Sequence, residues 1–529
     1  MELAKIGEES ARGGLSLMVG TATSAIIGAV GVIVIARLLG PASYGLYTLA
    51  LVVPALFVSI ADLGVSPSLT RYAASLRSEQ KYAKLASLLG SGLTVNLITG
   101  SVALVLAFTF SSQLSALVLH RQDIGALVAL ASIMILFQGF FNISYNTFIG
   151  LDRMGRSALM VILRDVTRVA SSAVLIILGF GVAGAIIGQV SAWMLTGLLG
   201  VLLLLAIRRG LRTISSTPNV RTLREDTQTM TAYGLPLYVG SLMVTLLAQY
   251  QNIVLAFFTT NAEIGNLSAA VNFGALVSVV ATPVAASLFP AFSKLDLQTR
   301  KQDLKTMFEL SVKYVTILVL PIAVFVAVFS RDLTRAVYGT AYGYASTYLA
   351  LYMCLYLLTG VGYYVIGNFL NGIGKTKETL KITLIQLGVF LPAAPLMASL
   401  WRVPGLIVAL VLSALVATSF GLRIATRRYE MRVDLKSSLR TLAAALASTL
   451  PILPIVYYSP LPSLANVLLG GSIYLAAYLT LAPLFRAIKR TDLEILAPIL
   501  GQIRVLKPIT NLIFAYETRL LAALEGQIK

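Results

Sequence analysis

Residues 14–20 read GLSLMVG and residues 234–240 read GLPLYVG, nearly the same phrase 220 positions apart. The offset persists beyond that phrase. Ile33, Val34 and Ala36 meet Ile253, Val254 and Ala256, while Gly45 meets Gly265 and Ala50 meets Ala270. At an offset of 219, Ser68 and Leu69 meet Ser287 and Leu288, and Met154, Gly155, Arg156 and Ser157 meet Ile373, Gly374, Lys375 and Thr376. A single one-residue slip accounts for the change. The chain therefore reads as an internal duplication of about 220 residues, followed after about residue 430 by a stretch with no copy.

Composition says what kind of unit is duplicated. The 529 residues are 57% hydrophobic and 12% charged, with a mean hydropathy of +0.85, whereas soluble domains carry about a quarter charged residues. Apolar stretches long enough to cross a hydrocarbon layer of about 30 Å recur from end to end. The expected spans are 14–38, 45–70, 85–110, 124–148, 157–179 and 183–206, then 233–258, 266–291, 311–330, 344–370, 378–400 and 404–424, and finally 439–458 and 464–485. The fold class is thus an all-α polytopic membrane protein with about fourteen transmembrane helices: two parallel six-helix repeats around a central cavity plus a C-terminal helix pair. The expected divisions are 1–210, 211–430, 431–486 and a tail, 487–529, too interrupted to span and expected to lie as amphipathic helices on the cytoplasmic leaflet.

The formal charge of +19 would suggest a nucleic-acid partner in a soluble protein. Its distribution argues otherwise. With the N-terminus inside, 34 of the 41 basic residues fall in cytoplasmic segments, only Arg37, Arg121, Arg331, Arg335 and Arg402 lie at outer ends, and Arg164 and Arg168 lie within a span. One missed helix would invert every later loop, so the bias is topogenic, no nucleic acid is expected, and both termini are placed in the cytoplasm of a plasma-membrane protein. The first apolar run has no small-residue cleavage site and is read as a retained span. A single cysteine, Cys354, excludes an internal disulfide and a cysteine metal site.

Arg37, Leu39, Gly40, Tyr44, Gly45 and Tyr47 form an RxLGxxxYGxY pattern, and Asp62, Leu63 and Gly64 follow near the end of the second span. With the six-plus-six layout, these residues resemble the polysaccharide transporter branch of the multidrug/oligosaccharidyl-lipid/polysaccharide exporter superfamily. The resemblance implies a non-enzymatic flippase. Its cargo would be a polyprenyl phosphate or diphosphate bearing a glycan, moved from the cytoplasmic to the outer leaflet through the cavity by alternating access, the lipid tail staying in the bilayer. The family shares no fixed set of site residues.

Ionisable groups near the midplane cost about 2.5–3.5 kcal/mol each on insertion scales and so face a cavity or a partner. Counting from residue 157, Arg164 lies about 10 Å and Arg168 about 16 Å deep, on one helix face. Guanidinium holds phosphate oxygens bidentately without deprotonating, which makes this pair the first candidate for a headgroup site. The alternative is a structural ionic cluster with Asp165. Asp62 is read first as the neutralising partner of an arginine, with a coupling cation or proton as the other role. Arg71 and Arg37 are interface anchors able to reach the cavity by snorkelling. Gln138, Asn142 and Asn146 at i+4 spacing, with Gln249 and Asn252, suit sugar hydroxyls or interhelical hydrogen bonds. Gly20 and Gly240 suit close helix packing.

Three other readings compete. GLDRMGR at 150–156 is like the loop motif of major facilitators, but four spans precede it rather than two, and its copy GIGKTKE at 372–378 is a generic basic turn. A multidrug exporter would bind cations and need more membrane acids than Asp62 and Asp165. A glycan polymerase or glycosyltransferase would need a sizeable outer loop, and His120 beside Asp123 makes no catalytic set. The expected partners are a lipid-linked glycan and membrane lipids. No cofactor or metal is expected, and one cavity requires only a monomer.

Overall fold

The computed structural model describes residues 2–211, 220–274 and 300–489, together with positions 277, 292, 293, 492 and 516. Most of the expected span 266–291 and of the tail 487–529 lies outside the described residues. The chain divides into two compact units, Met1–Gly265 and Asn266–Lys529. The first holds α1 (Glu2–Ala50), α2 (Val52–Ala61), α3 (Val65–Ser78), α4 (Tyr82–Thr109), α5 (Ser111–Leu119), α6 (Gly125–Ser132), α7 (Met134–Gly150), α8 (Met154–Leu175), α9 (Gly181–Leu211) and α10 (Val220–Phe258). Helix α11 (Asn261–Asn272) begins there. The second holds α12 (Lys301–Val328), α13 (Ser330–Tyr338), α14 (Ala345–Leu357), α15 (Ile366–Gly372), α16 (Thr376–Tyr429), α17 (Leu435–Ala447), α18 (Leu453–Tyr458) and α19 (Ser463–Leu484).

Every regular element among the described residues is helical, as the absence of water from a bilayer requires of a chain that must satisfy its own backbone. Among the described residues, eight helical runs are long and apolar enough to cross, nine if α14 and α15, bent by 45°, form one broken span. The fourteen spans do not emerge as separate helices. Three runs, Ser16–Ala61, Met154–Gly210 and Thr376–Tyr429, are long enough for two crossings each, and they are interrupted by single residues of positive φ rather than by loops. Those residues are Gly40 in the first, Gly179 and Gly181 in the second and Arg402 in the third. The expected span 45–70 is broken at Asp62–Gly64, where Leu63 and Gly64 have φ of 47° and 80°. The expected span 233–258 begins earlier, as α10.

The duplication is written in the backbone. Helices α4 and α12 are each 28 residues long, starting after a basic N-cap, Lys81 or Arg300. Each leads into a nine-residue helix, α5 or α13, that ends on a positive-φ residue, His120 or Gly339. These pairs stand 219 residues apart. The next landmarks shift to 222, which overturns the pairing of residues 154–157 with 373–376 at offset 219 and the single slip it implied: Asp152 and Gly374 both take positive φ, and Arg153 and Lys375 then precede α8 and α16. Farther on, Gly181 (φ 52°, ψ −130°) and Arg402 (φ 54°, ψ −129°) share one unusual conformation. The first copy thus has one residue more between turn and break, 153 to 181 against 375 to 402. It contains the π turn Ile176–Phe180, the geometry that absorbs a single inserted residue without ending a helix.

Two local devices complete the picture. Within the first unit the segments Pro41–Gly45 and Asn261–Gly265, equivalent at offset 220, cross at their backbones: a Cβ on Gly45 would strike the Asn261 carbonyl, and one on Gly265 would strike the Pro41 carbonyl. In the second unit the appended helix α19 docks on α12 through a proline. Pro321 has no N–H to offer the Ile317 carbonyl one turn back. Tyr478 Oη donates to that carbonyl at 3.1 Å, and Tyr474 Oη donates to the Pro321 carbonyl at 3.0 Å.

Candidate functional site

Lipid is as apolar as leucine, so membrane helices associate through small residues that let backbones approach. Helix α1 presents such a stripe in Gly20, Ser24, Gly28 and Gly31, and α8 lies along it in parallel. A Cβ at Gly20 would collide with Ala158 and one at Gly31 with Val169, while one at Gly28 would stand 3.4 Å from the Arg168 guanidinium. The repeated phrase GLSLMVG therefore ends at a helix contact, with Gly20 fully used for packing. The side chain positions at Gly240 lie outside the described residues.

Charge sits in the middle of this seam. Asp165, 4% exposed, accepts a hydrogen bond from Ser24 Oγ of α1. It also accepts from Arg164, at 2.9 Å from Nη2 and 3.3 Å from Nε, and pairs with Arg168 Nη2 at 3.5 Å. Arg168 Nη2 reaches the Gly28 carbonyl at 3.4 Å. The Arg164 guanidinium lies 5.0 Å from the Trp193 ring centre on α9 and 5.5 Å from that of Phe141 on α7, a cation–π arrangement that gains strength away from water. Nearby, Tyr47 Oη donates to Gln189 Oε1 at 3.2 Å. Because α8 begins at Met154, Arg164 stands about 15 Å and Arg168 about 21 Å along it, deeper than the count from residue 157 gave.

Two guanidinium groups face one carboxylate, so the cluster keeps a formal charge of +1. Arg168 Nε and Trp193 Nε1 are both buried without a hydrogen-bond partner. A buried donor without a partner costs about 1–3 kcal/mol. A group that brought acceptor oxygens and negative charge would relieve both defects together.

The remaining expected residues are placed elsewhere. Asp62 does not neutralise an arginine: its carboxylate accepts from Ser66 Oγ, and its carbonyl from Val65 N at 2.9 Å, tying off the start of α3. Arg71 is exposed midway along α3, stacked 4.2 Å from the Tyr233 ring centre of α10. Arg37 is exposed nine residues beyond Gly28 on α1, about 13 Å along the helix. The amide stripe of α7 divides. Gln138 Oε1 is buried and unpartnered, whereas Asn146 is spent locally, donating to the Asn142 carbonyl and receiving Thr70 Oγ1 at 3.2 Å. Gln249 and Asn252 hydrogen-bond each other at 3.3 Å on α10. The structure thus joins Arg164, Asp165 and Arg168 and leaves the others apart from them.

Ser24, Gly28, Phe141 and Trp193 complete the cluster and were not foreseen. A second polar knot was missed as well. Asp226 at the start of α10, fully buried, takes Lys84 Nζ at 2.6 Å, Ser87 Oγ at 2.7 Å and Ser91 Oγ at 2.8 Å, all from α4. The segment expected to be a loop before the seventh span is a helix clamped to α4.

No curated protein matches the sequence. Solved structures share the fold at low identity. The MurJ lipid II flippase in its inward closed conformation is 15% identical, covering 89% of this chain and 98% of that one, with a TM-score of 0.70. An inward-facing multidrug resistance MATE family transporter of the MOP superfamily is 15% identical, covering 78% and 98%, with a TM-score of 0.62. A MOP superfamily transporter from Pyrococcus furiosus is 16% identical, covering 80% and 95%, with a TM-score of 0.51. The family described as polysaccharide biosynthesis protein matches residues 10–296, more than half of the chain. The chain is therefore a multi-pass membrane protein of the polysaccharide biosynthesis protein family.

Proposed function

We propose that this protein is a flippase for a lipid-linked oligosaccharide or polysaccharide precursor, which it holds by its phosphate or diphosphate and moves from the cytoplasmic to the outer leaflet by alternating access. The observation that carries the reading is the seam between α1 and α8: a buried cluster of net charge +1 with two unpartnered N–H groups. Arg168 would offer its free Nε and its Nη2 to phosphate oxygens in the bidentate geometry guanidinium favours. Arg164, braced on Trp193 and Phe141, would add charge without moving. Asp165 keeps the two arginines parallel and close when no anion is present, and its carboxylate is what an incoming phosphate must compete with. Gln138 on α7 is the amide best placed for a sugar hydroxyl, since its oxygen has no partner.

The sign of the cluster disfavours the cationic cargo of a multidrug exporter. Asp62, held by Ser66 with no arginine beside it, is where a coupling proton or cation would act. The basic-residue bias orients both termini to the cytoplasm, and a single copy of the chain suffices. The test is transport by the purified full chain in liposomes, offered in parallel a labelled polyprenyl-diphosphate oligosaccharide and a fluorescent organic cation. Leaflet exchange of the glycolipid with its mass unchanged supports the reading. Transport of the cation alone overturns it.

A further inference from the structure

The break at Arg402 folds α16 into two arms whose far ends lie side by side. Arg428 Nη1 of the second arm meets Glu378 Oε1 of the first at 2.5 Å, and Gly421 faces Ile382. Between the ends is a cleft of about 200 Å³. Its floor is apolar, from Phe420 and Ile424, and its rim is basic, from Arg423, Arg427, Arg428 and Lys381. Glu378, 8% exposed, engages Arg428 and, at 3.3 Å, Lys381. Among the described residues, no carboxylate pairs with Arg423 or Arg427. One acid against four bases leaves the cleft with a formal +3.

One turn farther from the ends, on the face that continues from the cleft, Leu384 and Val416 are exposed, at 56% and 37%. An occupant must therefore present negative charge at the rim and an apolar body beyond it. We propose that this cleft is a binding site for an anionic phospholipid, with the phosphodiester between Arg423 and Arg427 and an acyl chain running along Leu384 and Val416. The cleft has room for a headgroup and none for the chains. Basic pockets between helices at a membrane boundary recognise anionic headgroups in this way, at a gain of about fivefold in affinity per Lys or Arg. The site lies wholly in the second unit, separate from the Arg164 and Arg168 cluster, and it stands whether or not the cargo there is a glycolipid.

The test is native mass spectrometry of the full chain released from detergent, with phosphatidylglycerol, phosphatidylcholine or inorganic phosphate added. The expected result is a phosphatidylglycerol adduct that survives activation sufficient to strip phosphatidylcholine. Arg423→Gln with Arg427→Gln should weaken it about twenty-five-fold, with an unchanged melting temperature as the folding control. Glu378→Gln should act in the opposite direction and tighten the adduct, which misfolding would not do. Equal retention of the two lipids, an unaltered adduct in the double variant, or displacement of lipid by millimolar phosphate would each overturn the proposal, the last by showing a site for free anions.

Discussion

Helix α8 and the first arm of α16 are copies of one ancestral helix, and they differ where it matters. Both follow a turn with a positive-φ residue, Asp152 or Gly374, and both run to a break of the same φ and ψ, Gly181 or Arg402. At the 222 offset the charged trio of α8 meets Gln386, Leu387 and Phe390, the last only 1% exposed. The frame was kept in both copies while the charge was kept in one. A structural need common to the repeats would have preserved the trio in both, so its confinement to the first unit argues for a task carried out there.

A graded set of substitutions would break or sharpen that contrast. The largest effect is expected from Asp165→Leu, which gives α8 the residue of its copy. It strands two half-buried guanidinium groups, and removing one partner of a buried ion pair costs up to about 3–5 kcal/mol; thermal unfolding in detergent should show it. Gly31→Leu comes next, since even a Cβ there collides with Val169, and overpacking costs about 1–3 kcal/mol. Gly388, in the first arm of α16, has nothing within 4 Å of such a Cβ, so a leucine there should cost little.

The shared break supplies an opposed pair. Arg402 holds a conformation that glycine adopts freely, so Arg402→Gly should stabilise the chain by about 1 kcal/mol, and Gly181→Ala should destabilise it by a similar amount. A matched result in both directions would confirm that the two breaks are one inherited feature. The smallest effect lies where the copy ends. Glu430 is held down to about 2 by hydrogen bonds from Lys301 and Lys305. A depressed carboxylate stabilises the fold above its unfolded value of 4.5, and that contribution is lost as pH falls towards 2. Glu430→Gln should remove this part of the acid sensitivity, read from melting temperature across pH 2–5.

The sequence disclosed the membrane class and the duplication because both are repeated many times over: apolar runs, basic turns and a fixed offset. It disclosed Arg164 and Arg168 because a charge in an apolar run has no bland neighbours to hide among. Separate helices were harder to count, since Gly40, Gly181 and Arg402 bend the chain without any polar loop to interrupt the hydropathy. The partners of the trio were invisible for a different reason. Ser24 and Gly28 stand some 140 residues from Asp165 and Arg168, and a serine or glycine in an apolar helix carries no mark of what it will touch. Asp62 shows the converse: its partner is Ser66, one turn on, and not an arginine.

The most direct measurement is leaflet-resolved transport of a labelled polyprenyl-diphosphate oligosaccharide in liposomes, comparing wild type, Arg164→Ala, Arg168→Ala and the matched change in the copy, Gln386→Ala. Hydrogen bonds to charged groups are worth about 1.5–3 kcal/mol, so each arginine variant should lose about ten- to a hundredfold in apparent affinity with its folding intact, and Gln386→Ala should transport as wild type does. Equal transport by all four proteins would contradict the assignment of the α1–α8 seam as the headgroup site.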